Sequence, residues 1–265
     1  MLIKKDHRVI DSFVEWFEYT LLKEGQAYKN VSTPLYPMSG QVNGENTFSA
    51  PFHQWVFDQS ITGANIPTAS SLGVDYVDYR NGRVINSTNV AGNVDYSFKE
   101  FNIYMTTKPD ETLFFENRYQ QRPKPINFDE VGLPPNEVIA PCIFIRPEMR
   151  NVQPLALGGS ITSIFKVNAL IYSDSEFKMQ AVVSIFMDKL FSYVPILQET
   201  PLNYYGDYKT GGYNYEHQLQ GYANSNDLLR IKDIFFTPIE NDSISKAHPD
   251  FHIGRLYFEL HDDRK

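Results

Sequence analysis

The sequence predicts an α+β fold: a mainly antiparallel β-sheet with an N-terminal amphipathic helix and a second helix packed on the sheet, plus long loop insertions. Three observations carry this. Residues 7–23 place Val9, Ile10, Phe13, Val14, Phe17 and Leu21 at spacings of three and four, with Asp11, Glu15 and Glu18 on the opposite side. Short runs of β-branched and aromatic residues recur along the chain between Gly, Pro and Asn. A strand-like run at 161–172 then passes almost directly into a helix-like run at 174–191. The chain reads as a single domain, 1–265, with loop insertions at about 31–65, 120–137 and 200–227.

The first helix has Gly25 behind it as a stop. Residues 31–65 read as irregular, punctuated by Pro34, Pro37, Gly40, Gly44 and Pro51, with Trp55, Val56 and Phe57 as one short strand. Residues 74–86 form the clearest hairpin, because Asn81-Gly82 is the preferred pair for a type I′ turn. Arg80 and Arg83 flank that turn, as a solubilising pair or as a tip that touches an acidic neighbour.

Residues 94–106 read as a strand, and 113–119 as its partner. A proline-rich loop or arm follows. Residues 138–146 are an apolar run whose Pro141 marks a strand end, bulge or edge. In the central stretch, Ser173 and Glu176 have the spacing of a capping box. Apolar residues run almost all round the helix that follows, so it needs cover on more than one side. The second cover is either the N-terminal helix, inside one chain, or the sheet edge of a neighbouring subunit, which would reach Val183 and Phe186. Pro195 and Pro201 end that pattern. A flexible aromatic loop comes next, with Tyr204, Tyr205, Tyr208, Tyr213, Tyr215 and Tyr222. Two strands, 228–237 and 253–261, close the chain, the second alternating Leu256, Phe258 and Leu260 against Arg255, Tyr257 and Glu259.

The formal net charge of −8 means that nucleic acid is not held by the molecule as a whole. A ring of such subunits remains compatible with DNA sliding through. The single cysteine, Cys142, excludes a disulfide framework within the chain and reads as a small buried hydrophobe. The first residues lack the apolar run of a signal peptide, and no stretch reaches the ~18 apolar residues of a membrane span. A reducing cytoplasm is the expected site of synthesis and assembly.

Signals for chemistry are weak, and neither a metal nor a cofactor is expected. His248 and His252 are four apart, but Pro249 and Asp250 between them argue against a helix that would bring both rings to one metal. There is no HExxH, CxxC, P-loop or GxSxG pattern. Gly158-Gly159 opens onto a strand, so it offers no helical N–H groups to a phosphate. Asp75, Asp78, Asp95, Asp129, Glu130 and Glu137 could furnish a carboxylate pair for glycoside hydrolysis, yet nothing selects two of them. The tyrosines of 204–222 suit a protein contact and a sugar-stacking platform equally well.

The opening helix, and the strand ITSIFKVNALIYS running into the helix SEFKMQAVVSIFMDKL, resemble the plan of ring-forming proteins at the tailed-bacteriophage head–tail junction. The stretch AGNVDYSFKEFNIYMTTKPDETLFFENRY, behind the hairpin DYRNGRVIN, is similar to virion structural proteins of large phages. The match in plan covers residues 10–22 and 141–190; 31–65 and 200–227 have no counterpart in small tail terminators. The resemblance implies a non-enzymatic virion subunit of the neck or tail end, of tail-terminator or head–tail-connector type. Its implied form is a homo-oligomeric ring, a hexamer or dodecamer, in contact with other neck or tail proteins. DNA at most passes through it, and no membrane is involved. The contact residues expected on this reading are Arg80, Arg83, Val183, Phe186 and the six tyrosines. The alternative is a carbohydrate-binding protein that uses the 204–222 loop.

Overall fold

The structure, a computed structural model, describes residues 2–42, 45–88, 90, 92–121, 137–154, 161–209, 211–222, 228–239 and 242–264. In chain order, helix α1 (Leu2–Lys23) leads to strands β1 (Tyr28–Pro34), β2 (Tyr36–Val42) and β3 (Glu45–Ser49), then to a one-turn helix α2 (Ala69–Leu72). Strands β4 (Tyr76–Asp78), β5 (Arg83–Asn86), β6 (Asn93–Lys99) and β7 (Asn102–Met105) follow. A π-helical turn (Thr112–Glu116) precedes β8 (Arg118–Gln121), β9 (Glu137–Ala140), β10 (Cys142–Pro154) and β11 (Ile161–Ser173). The chain then makes α3 (Glu176–Met187), β12 (Tyr193–Pro195), α4 (Tyr215–Tyr222), β13 (Leu228–Pro238), α5 (Asp242–Ala247) and β14 (His252–Arg264). The fold is α+β with mainly antiparallel sheets.

The largest sheet has the order β12-β13-β14-β11-β10-β7, antiparallel throughout except for the β10–β7 pair. Its long strands are those the sequence marks most clearly. Phe165, Val167, Ala169 and Ile171 on β11 pair with Leu260, Phe258, Leu256 and Gly254 on β14, so a period of two sends one apolar set to one face. Helices α1 and α3 cover that face. Phe17 stacks on Phe186 at 3.9 Å between ring centroids, and Phe258 meets Phe13 edge-on at 5.0 Å. The other face, with Phe144, Leu170 and Tyr172, packs against Leu113 and Phe114 of the π-turn, Val138 of β9 and Ile244 of α5. Cys142 is buried there, as expected of a small hydrophobe.

Several expectations need correction. Residues 28–34, 36–42 and 45–49 are strands, not an irregular loop. Pro34 ends β1 at a pair with Asn93, and Pro37 precedes a register shift in the β2–β3 ladder, so both prolines sit where a missing N–H is tolerated. Trp55 makes only an isolated bridge, to Phe98. Residues 94–106 break at Glu100-Phe101 into β6 and β7, which lie in different sheets. Residues 113–119 do not pair with them: they hold the π-turn and the start of β8, whose partner is β9 in parallel. Pro141 does mark a strand end, standing between β9 and β10.

At the end of α1 the left-handed residue is Gln26 (φ 48°), not Gly25. Gly25 serves proximity instead, because a Cβ there would lie 2.7 Å from Ile185 Cδ1 on α3. The Ser173/Glu176 capping box does not form. Strand β11 runs on through Ser173, so the N-cap falls on Ser175, and the Ser173 hydroxyl donates to the Ser175 carbonyl at 2.8 Å. Helix α3 stops at Met187, where the turns tighten ahead of Phe191 (φ 67°). Its buried stripe is Met179, Val182, Val183 and Phe186, a spacing of three, four and seven. Val183 is 8% exposed and Phe186 fully buried, so both belong to the chain's own core, not to a surface that a neighbour could touch. Phe177, at 83% exposure, has no such cover.

Candidate functional site

The polar side of α1 does not face open water. It forms one wall of a cleft of about 750 Å³, with Asp11, Glu15 and Glu18 projecting into it. The floor comes from the irregular segment after β3. There the backbone of Gln54 and Trp55 donates to the carbonyls of Arg80 and Tyr79 (3.1 and 2.7 Å), while Lys99 N donates to the Gln54 carbonyl (3.0 Å). Gln54 holds a left-handed backbone (φ 48°), which turns its carboxamide onto β7: it accepts from Ile103 N at 2.7 Å and donates to Ile103 O at 3.0 Å. A side chain thus occupies the hydrogen-bonding positions that an added strand would use on that edge.

The opposite wall is the β4–β5 hairpin. The sequence suggests a two-residue type I′ turn, but the loop has four residues, Tyr79 to Gly82, between the paired Asp78 and Arg83. Of Asn81 and Gly82 only the glycine has positive φ (61°). The reason is Asp78, whose carboxylate accepts from Asn81 N at 3.0 Å and Asn81 Nδ2 at 2.7 Å and so closes a wider turn. The tip is also not solvated: Ala50 N donates to Gly82 O at 2.9 Å, and a Cβ on Gly82 would strike the Phe52 carbonyl. Arg83 is buried, and burial lowers its pKa against the pull of Asp78; only Arg80 is exposed. Arg83 is therefore withdrawn from the expected contact surface.

The tyrosine segment is the third wall, and it too departs from expectation. Tyr213 (8% exposed), Tyr215 (1%) and the partly buried Tyr208 are packed. Tyr208 meets Tyr79 at 4.9 Å and its hydroxyl donates to the Phe57 carbonyl; Tyr213 meets Phe57 at 5.8 Å; Tyr215 stacks on Tyr19 of α1 at 4.3 Å. Residues 215–222 are helix α4, tied to α1 through Glu216, which accepts from Tyr19 at 2.9 Å and lies 2.8 Å from Lys23 Nζ. Tyr222 ends this helix, and its side chain falls outside the described part. Among the described tyrosines of this segment, Tyr204 and Tyr205 alone stand free, at 90% and 56% exposure, on the cleft rim. Asn203 sets them there by accepting from Tyr205 N at 2.8 Å and Asp207 N at 3.2 Å.

At the base of the cleft Lys99 Nζ is 2.5 Å from Glu18 Oε1 and 4.7 Å from the centre of the Phe57 ring. Both ends of this ion pair are nearly buried. Glu15 lies beside it, and burial, reinforced by the Glu18 charge, holds its pKa well above the usual carboxylate range. Asp11 is also raised by burial, against the pull of His7, Lys209 and Arg80. Among the described residues neither Asp11 nor Glu15 has a hydrogen-bonded or ion-paired partner.

The sequence names Arg80, Tyr204 and Tyr205 for contact and the structure gathers them at one cleft. It removes Arg83, Val183, Phe186, Tyr213 and Tyr215 to the interior and packs Tyr208 half-buried against Tyr79. The three acids of α1 were missed as site residues, because acid residues opposite an apolar stripe read as a solvated face. Of the other carboxylates, Asp75 accepts from Ser87 N at 2.7 Å and Asp78 serves the turn; Asp129, Glu130 and the Gly158-Gly159 pair lie outside the described residues. His248 packs edge-on to Tyr119 and Tyr172, with its Nε2 2.5 Å from the Phe114 carbonyl, and among the described residues no three His, Cys, Asp or Glu side chains converge as metal ligands. Among the same residues no helix is long and apolar enough to cross a membrane. Set against known proteins, the chain matches no family model and no curated sequence.

Proposed function

We propose that the chain is a structural subunit of a phage virion, one copy in a ring of the neck or tail end, acting through assembly and not catalysis. The observation that carries the reading is an apolar corner where α3 ends and β12 begins. Met187, Leu190, Phe191 and Tyr193 all remain exposed within seven residues, on the outside of a chain whose core is already well filled. Phe191 is held there in a left-handed backbone that costs an aromatic residue about 1–3 kcal/mol. The Phe191 amide donates to Ile231 O at 3.1 Å, and the Arg230 guanidinium lies 5.9 Å from the ring. A neighbour burying this corner would remove apolar surface from water at about 25 cal/mol per Å².

The layout of α1, sheet and α3 supports the same reading by analogy with phage junction proteins. Fold analogy is the weaker support, since one architecture hosts many functions. The test is to follow Leu190→Glu/Tyr193→Glu beside the unaltered chain by electron microscopy of virions and by analytical ultracentrifugation. The expected result is a folded double variant that no longer enters particles. A natural chain absent from particles and monomeric at every concentration overturns the reading.

A further inference from the structure

We infer that the cleft along α1 is a binding site for a neutral oligosaccharide, a role beyond the assembly reading. The cleft is the larger of two adjoining cavities. The second, of about 290 Å³, shares Asp11, Glu15 and Thr200 with it, so the two form one groove that follows the helix from Arg8 to Glu18. At 1.5 Å per residue this is roughly 15 Å, a length for a chain of sugars more than for one ring.

The chemistry of the walls selects the ligand. Tyr204 and Tyr205 present open rings at the mouth, set edge to face at 5.6 Å. Such rings pack against the C–H faces of a pyranose while their hydroxyls stay wet. Deeper in, Asp11 and Glu15 offer carboxyl groups that no donor among the described residues uses, and Arg80 offers a planar fork at the rim. Carboxyl and guanidinium groups each bridge neighbouring hydroxyls.

The other ligand classes fit less well. Nucleic acid needs an excess of cations, and the groove has none: its five acids, Glu199 among them, equal its five lysines and arginines, Arg8 and Lys209 among them. A peptide added as a strand needs an open edge, and Gln54 already fills the positions on β7.

The experiment is an array of immobilised neutral gluco-, manno-, galacto-, xylo- and N-acetylhexosamine oligosaccharides. Calorimetry follows on any bound series, with an oligoarginine peptide and single-stranded DNA as charged probes. At least one neutral series should bind. Tyr204→Ala/Tyr205→Ala should weaken it roughly tenfold or more at an unchanged melting temperature, and Arg80→Ala should weaken it too. No binding at millimolar sugar, binding indifferent to both variants, or binding of the charged probes alone overturns the proposal. Because these substitutions lie away from Leu190 and Tyr193, loss of sugar binding with normal incorporation into particles separates this site from the assembly surface.

Discussion

The two sides of α1 solve different problems with the same backbone. On one side Phe13 and Phe17 are fully buried against Phe186 and Phe258. The ring contacts there are apolar, and their burial is favourable at any pH. On the other side Asp11, Glu15 and Glu18 face a cleft whose walls limit their hydration. There one carboxylate is matched by Lys99, and two have no partner among the described residues. Stability comes from the first side; the second carries a standing electrostatic cost, and it is at the second that a ligand has something to gain.

The largest expected effect tests whether the first side is internal to one subunit. Phe186→Asp puts a carboxylate among the rings of Trp16, Phe17 and Phe258. The loss should exceed about 4–5 kcal/mol, enough to leave the isolated chain unfolded by circular dichroism. A variant that folds alone and fails only in assembly would return this helix face to a neighbour and break the comparison.

How far the sequence could be read divides along the same line. The apolar side of α1, the strand β11 and the alternation of Leu256, Phe258 and Leu260 on β14 were legible, because periodicity and burial coincide there. The acid side of α1 was not, since a carboxylate on a cleft wall and one in open water leave the same pattern. The strands β1 to β3 were hidden by prolines that stand at a ladder end and next to a register shift. The tyrosine segment looked like surface because Tyr carries a hydroxyl. Yet the hydroxyls of Tyr213 and Tyr215 are buried with no hydrogen-bond partner among the described residues, and their rings fill space between Phe57 and Tyr19. Composition at the hairpin pointed to Asn81-Gly82 and missed that Asp78 would reach forward to the asparagine.

A smaller effect sharpens the electrostatic side. Lys99→Met removes the cation that faces Glu18 and leaves an enclosed carboxylate beside a second one. The expected destabilisation is about 3 kcal/mol, read from urea unfolding at neutral pH. The double change Glu18→Leu/Lys99→Met should recover most of it, because the charge left behind is then gone. If the double variant is as unstable as the single one, Lys99 acts through its ammonium over the Phe57 ring and not through its pairing with Glu18.

The smallest effect isolates Glu15. Burial, with Glu18 adding to it, raises its folded pKa above the unfolded value. Between those two values the folded chain holds a proton that the unfolded chain has released. Stability therefore falls as pH rises through that window, with a slope of at most about 1.4 kcal/mol per pH unit for one proton, and the whole cost is present once pH exceeds the folded pKa. Glu15→Gln keeps the shape and removes the titration. The variant should be more stable than the natural chain at neutral pH, and the two should converge as pH falls below the ordinary carboxylate value. Melts of both proteins from acid to neutral pH measure the gap directly. A natural chain that is the more stable at neutral pH would mean that Glu15 is ionised and well partnered in the cleft. The acid side of α1 would then be a second stabilising face, with nothing left over for a ligand.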